Sequence, residues 1–220
     1  MTSEIKIVVP IFNAERWIEK CIKSIKAQQY SNFECYLVND VSTDKTKEKI
    51  NKYICNDDRF VYVENVEKKY ALKNIYDTIK DYNFHNEDIV VLLDGDDWFA
   101  SPLVLTKISE IYKKESCWMT YGSYVEYPSM KKGRFSQKIP QTTIDNSSYR
   151  TEQWRSSHLR TFKVKLWNKI KKEDFLYSKT GKFVKAAWDL AFMFPMLEMS
   201  AHKAKYVSDI LYFYNRQYRS

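Results

Sequence analysis

The sequence predicts an α/β protein with a mostly parallel, doubly wound sheet, and three observations carry that expectation. Short apolar runs of strand length alternate with segments of helical periodicity through the first hundred residues. The turns between them are short and polar. The run Ile89-Val90-Val91-Leu92-Leu93 is apolar throughout, as a strand buried on both faces must be, and it ends in Asp94-Gly95-Asp96-Asp97. Open α/β sheets hold ligands beyond the carboxyl ends of their strands, so this acidic turn is the first candidate for chemistry.

The elements follow in order. Ile5 to Ile11 reads as a strand, with Pro10 marking its end. Asn13 is placed to cap a helix and Glu15 to sit in its first turn, because Trp17, Ile18, Cys21, Ile22 and Ile25 recur at helical spacing. Phe33 to Asn39 is a second strand breaking into the polar turn Asn39 to Asp44. A helix carrying Thr46, Ile50, Tyr53 and Ile54, a strand Phe60 to Glu64, and a helix Ala71 to Tyr82 precede the acidic-turn strand. Right-handed crossovers join such parallel strands. Beyond the turn, Ser101-Pro102 opens a helix with an inner face of Val104, Leu105, Ile108, Ile111 and Tyr112. Trp118 to Tyr127 reads as a strand, and polar Gly133 to Tyr149 as a mobile loop of the kind that closes over a ligand. Ser157 to Phe162 is strand-like, Leu190 to Met199 is helical around Pro195, and Tyr206 to Arg216 closes the chain. No linker divides residues 1–220, which are expected to form one domain with halves 1–100 and 101–220.

Composition excludes several classes. Net charge is +8, but Lys and Arg are scattered, with only short pairs such as Lys131-Lys132 and Lys171-Lys172, so no nucleic-acid partner is expected. The same balance suits anionic small ligands. The four glycines, Gly95, Gly122, Gly133 and Gly181, form neither a dinucleotide fingerprint nor a triphosphate loop. Cys21, Cys35, Cys55 and Cys117 lack the spacing of a zinc site, and three of them sit in apolar elements as buried thiols, which fits a reducing compartment. No apolar run approaches the roughly 18 residues of a membrane span. The N-terminus runs straight into a strand without a signal peptide, so a cytoplasmic location is expected, including the cytosolic face of a membrane.

Three carboxylates around one glycine repel each other, and a hard cation answers that repulsion. Oxygen-only ligands suit Mg²⁺ or Mn²⁺, and Gly95 lets the turn tighten and a ligand approach the backbone. The plainer alternative is a polar turn capping the next helix.

Four ordered landmarks resemble glycosyltransferase family 2: Val8-Val9-Pro10-Ile11-Phe12-Asn13-Ala14-Glu15, Leu37-Val38-Asn39-Asp40-Val41-Ser42-Thr43-Asp44, Leu72-Lys73-Asn74, and Leu93-Asp94-Gly95-Asp96-Asp97. The resemblance implies a GT-A fold, with a nucleotide-sugar-binding first half and a smaller acceptor-side second half. It implies inverting, metal-dependent transfer of a sugar from a nucleotide-diphosphate donor, UDP-linked by expectation, to a hydroxyl of a glycan or glycolipid. By position Pro10, Ile11, Phe12, Asn13 and Glu15 would line the nucleotide pocket, Asp40 would accept from the base, and Ser42 and Asn74 would lie nearby. Lys73 stands where many members carry Arg, which turns a bidentate phosphate contact into a point charge. Asp94 would touch ribose and metal beside Gly95, and Asp96 would hold Mn²⁺ or Mg²⁺ against the diphosphate.

The second half is expected to supply the acceptor side, with Asp97 assigned there or to phosphate. Asp189, ahead of a helix, stands at the position of the family's catalytic base, although Trp188-Asp189 replaces the more usual Glu-Asp. Its alternative role is a helix cap. Trp188 would stack on a sugar or pack in the core. His158 would complete the metal site or lie on the surface, and Arg160 would neutralise a phosphate or join an ion pair. Two rival readings stay open: a nucleotidyltransferase of the sugar-nucleotide pyrophosphorylase type, and a non-catalytic basic binding domain. Whether further domains belong to a longer protein is also open.

Overall fold

The computed structural model describes residues 4–217, so Met1 to Ser3, part of the N-terminal segment read as leaderless, lie outside the described residues. The first half alternates as expected: β1 (Ile5–Ile11), α1 (Ile18–Lys26), β2 (Phe33–Asn39), α2 (Thr46–Ile54), β3 (Phe60–Glu64), α3 (Tyr70–Asp81) and β4 (Ile89–Leu92). β1 pairs in parallel with both β2 and β4, and β2 with β3. Alternate residues of β1 explain the winding. Ile7 and Val9 enter a core shared with Ile18, Ile22 and Ile25 of α1, whereas Val8 enters a second core with Leu72, Ile75 and Ile79 of α3.

The second half adds β5 (Trp98–Phe99), α4 (Val104–Glu115), β6 (Met119–Tyr127), β7 (Lys131–Lys132), α5 (Gln141–Asp145), β8 (Arg160–Lys163), α6 (Val164–Trp167), α7 (Leu190–Ser200) and β9 (Ala204–Asn215). The sheet order is β3-β2-β1-β4-β8-β6-β9-β5, with β7 on β6. The half is mixed: β8 runs antiparallel to β4 and β6, while β9 runs parallel to β6 and antiparallel to β5.

Three local expectations are corrected. Asn13 does not cap α1, which starts only at Ile18. Its Oδ1 instead accepts from Thr43 N at 2.9 Å, and its own N–H donates to Ser42 Oγ at 2.9 Å. Gly133 to Tyr149 is packed rather than projecting: Ile139 and Tyr149 are buried in the second core, and Ser136 Oγ accepts from Tyr124 N at 3.2 Å. The space beside Gly95 is taken by a side chain of β1. A Cβ there would lie 2.8 Å from Ile11 Cγ1, because Leu93 N and Gly95 N donate to Val8 O and Pro10 O, laying the turn along β1.

Candidate active site

Two polar turns at the carboxyl ends of β1 and β2 are laced together. Besides the Asn13 bonds, Glu15 N donates to Asp44 Oδ2 at 3.1 Å, Lys45 N to Glu15 Oε2 at 2.9 Å, and Ala14 N to Thr46 Oγ1 at 2.8 Å. Asp44 also accepts from Thr46 N at 3.0 Å, at the start of α2. Asn13, Val41 and Tyr70 hold positive φ (49°, 61° and 66°) around this mouth, and a β-branched residue such as Val41 is costly there. Strain of this kind persists where surrounding bonds over-determine it, which is common at functional sites.

Beside the turns opens a cleft of about 310 Å³ lined by Pro10, Ile11, Phe12, Asp40, Asn74 and Trp188, together with Lys68, Tyr70, Ala71 and Lys185. Asp40 is its buried anchor. Its carboxylate accepts from Asn65 Nδ2, Lys69 N and Tyr70 N, each at 2.8 Å, and Lys68 Nζ lies 3.4 Å away. Burial pushes the Asp40 carboxyl up, but these hydrogen bonds outweigh it and hold the group below the usual carboxylate range. Asp40 thus carries the 65–70 segment that forms one wall of the cleft. Because the folded value is depressed, this anchoring is complete above the unfolded carboxyl's value of about 3.9 and is lost as pH falls through the lower folded value. In an NMR acid titration, the Lys69 and Tyr70 amides should therefore shift with a midpoint below about 3.9. A midpoint at or above that value would show that the bonds do not hold the charge.

The acidic turn adjoins this cleft. Asp96 lines a neighbouring pocket of about 370 Å³ with Asn13, Glu15 and Arg16, and Phe12 borders both cavities. Asp94 and Asp96 are part-buried, whereas Asp97 is fully buried. Asp97 accepts from Tyr212 Oη at 2.6 Å and Asn215 N at 2.7 Å, so it ties β9 to the turn; the acceptor or phosphate role expected of it is set aside. Burial, with the Asp97 and Asp94 charges, keeps the Tyr212 phenol protonated far above its ordinary range, as a donor to Asp97 must be.

His158 is redirected as well. It is buried, its ring stacks on Tyr212 with centroids 4.5 Å apart, and its Nδ1 lies 3.4 Å from Arg160 Nη1. It stands one ring away from the acidic turn rather than within it. Among the described residues no three His, Cys, Asp or Glu side chains converge as a metal cage. Two carboxylates at a strand end nonetheless fit a cation that takes its remaining ligands from substrate phosphates and water, the usual mode for Mg²⁺.

Asp189 settles differently from a cap. It occupies the N-cap position of α7 but makes no capping hydrogen bond with its side chain. Its Oδ2 accepts from Arg160 Nη2 at 2.6 Å, and Arg160 on β8 is buried. Arg160 therefore neutralises this carboxylate and not a phosphate. Oδ1 makes no hydrogen bond among the described residues, and Asp189 lines a pocket of about 420 Å³ with His158, Tyr124 and Tyr214. Trp188 faces the cleft first described, with its ring 6.0 Å from the Arg160 guanidinium. The 185–189 segment thus separates the two cavities.

Of the remaining expectations, Ser42 clamps Asn13 and lines neither cavity. Lys73 turns away to Asp77, 2.9 Å from Oδ1 and one helical turn along α3, about 100° around the helix from Asn74. Lys68, Tyr70, Lys185 and Asn65 were missed. Their only sequence signal was adjacency to the Leu72-Lys73-Asn74 landmark and to Trp188.

With this geometry in place, the sequence model described as Glycosyl transferase family 2 matches residues 6–172. The chain belongs to that family. It is 26% identical over 175 residues to glycosyltransferase GlyA of Streptococcus pneumoniae, covering 77% of this chain and 24% of the relative. The fold matches S. aureus TarS 1-349 in complex with UDP-GlcNAc at TM-score 0.73 and 18% identity, covering 99% of this chain and 60% of that one. It also matches the mannosyltransferase PcManGT from Pyrobaculum calidifontis in complex with GDP-Man and Mn²⁺, at TM-score 0.67 and 16% identity, covering 100% of this chain and 59% of that one. These matches show the GT-A fold expected of the family member. The chain spans about a quarter of GlyA and three fifths of the two solved chains. No helix among the described residues is long and apolar enough to cross a membrane.

Proposed function

We propose that this chain transfers a sugar with inversion from a nucleotide diphosphate, UDP-linked, to a hydroxyl of a glycan or glycolipid. The observation that carries the reading is Asp189: a carboxylate held by a buried Arg160, not used as a cap, and facing a pocket beside the Asp40 cleft. Asp40 and Asn74 would bind the base, with Phe12 and Trp188 as apolar walls. The acceptor hydroxyl would lie in the Asp189 pocket. Its proton passes to Asp189 Oδ1 as its oxygen bonds to the anomeric carbon, and the opposite carbon–oxygen bond breaks to release the nucleotide diphosphate. Arg160 fixes the carboxylate's direction and stabilises its charge before the proton arrives. Asp94 and Asp96 would hold Mn²⁺ or Mg²⁺, whose charge offsets that of the leaving diphosphate.

UDP and GDP, each titrated calorimetrically with Mn²⁺ and with EDTA, test the donor site. One diphosphate should bind tightly only with metal, and Asp96→Ala should remove that metal-dependent increment. Binding of neither nucleotide in either condition would sink the reading.

A further inference from the structure

Beyond the 65–70 wall of the nucleotide cleft lies a second basin of about 530 Å³, and six lysines line it: Lys68, Lys69, Lys73, Lys172, Lys182 and Lys185. Lysines on an ordinary surface spread apart, because like charges at close range repel. Here they converge from three separate stretches of chain. α3 and the segment before it bring Lys68, Lys69 and Lys73, the residues just before Phe175 bring Lys172, and a turn brings Lys182 and Lys185. That turn is built by Leu176 bridging antiparallel to Phe183, with Gly181 at φ +62° between them.

Acidic partners do not balance the group. Lys69 and Lys73 share the single carboxylate of Asp77, each at 2.9 Å, and Lys68 leans 3.4 Å from Asp40, which already accepts three hydrogen bonds. Lys185 lies over the Tyr70 ring at 3.9 Å, and Lys172 and Lys182 make no ion pair among the described residues. Counting Glu67, which also lines the basin, and Asp81, whose charge reaches Lys69, six ammonium groups meet four carboxylates. The volume exceeds what one phosphate fills, and Leu176 and Phe183 add apolar lining.

We propose that this basin is a binding site, separate from the nucleotide cleft, for a ligand carrying two or more phosphate charges. Lysine binds phosphate as a point charge, so several lysines around one hollow select charge density rather than one fixed shape. The basin and the cleft share Lys68, Tyr70 and Lys185, so a bound anion sits against the same wall that closes the cleft. The ligand's phosphates come either from a soluble phosphate-bearing chain or from lipid headgroups.

The double variant Lys172→Glu/Lys182→Glu tests the site, because both residues are exposed and line the basin but not the cleft. Tripolyphosphate is titrated calorimetrically into the chain in EDTA, and vesicles of phosphatidylglycerol in phosphatidylcholine are co-sedimented with it. At least one probe should bind the wild type, weaken as salt is raised, and bind the variant tenfold or more weakly. The responding arm identifies the source of the phosphates. Lys172→Ala/Lys182→Ala should show a smaller loss in the same direction. No binding of either probe to the wild type, or equal binding by the charge-reversed variant, would overturn the site. UDP affinity measured in parallel should be equal in wild type and variant. A parallel loss of UDP would mean the lysines serve the cleft, which also overturns a separate site. Failure of UDP to bind the wild type at all would strike the proposed function and leave the basin result standing.

Discussion

Asp189→Asn is expected to lower nucleotide-diphosphate release during sugar transfer by about 10²- to 10⁴-fold, the range for loss of a positioned general base. Donor affinity should be unchanged, because Asp189 lies in the pocket lined by Tyr124 and His158 and does not line the Asp40 cleft. Asn keeps the size of the side chain, and its oxygen can still accept from Arg160, so folding should survive. Transfer retained within about threefold would remove Asp189 from the reaction. Donor affinity lost along with turnover would place it in the nucleotide site.

Asp97→Ala should cost about 3 kcal/mol of folding stability, read as a lowered midpoint in urea. The Tyr212 hydroxyl and the Asn215 amide would be left buried without their acceptor, and each such group costs about 1–3 kcal/mol. Asn215 also donates through Nδ2 to Asp96 O at 3.1 Å, so loosening β9 loosens the backbone of the acidic turn. Metal-dependent nucleotide binding should therefore weaken although the mutated side chain is buried and lines neither the cleft nor the neighbouring pocket. An unchanged midpoint would show that β9 holds the turn without Asp97.

The contrast between Asp96 and Asp97 shows where reading the sequence stops. Both are aspartates in one turn, and a run of acids at a strand end announces a cation equally for each. Only the pairing of β5 with β9 brings Tyr212 and Asn215 across more than a hundred residues to claim Asp97. Arg160 and Asp189 show the same limit. Each was legible as a charged residue near a strand or helix end, but their 2.6 Å contact depends on β8 entering the sheet beside β4. Asn13 was misread as a cap because capping propensity is local, whereas Ser42 and Thr43 reach it from the neighbouring turn.

By itself the sequence determined the alternation of elements from β1 to β4, the two-faced burial of the central strands and the family, because these rest on periodicity and on short contiguous motifs. It also determined that the acidic turn stands at a strand's carboxyl end. The tertiary structure alone decided the mixed order of the second half, the partners of the buried Asp97 and of Asp189, and the gathering of six lysines into one basin. The physical reason is range. Periodicity and caps are set by neighbours a few residues away, whereas the partner that fixes a buried charge is chosen by whichever distant strand the sheet places beside it.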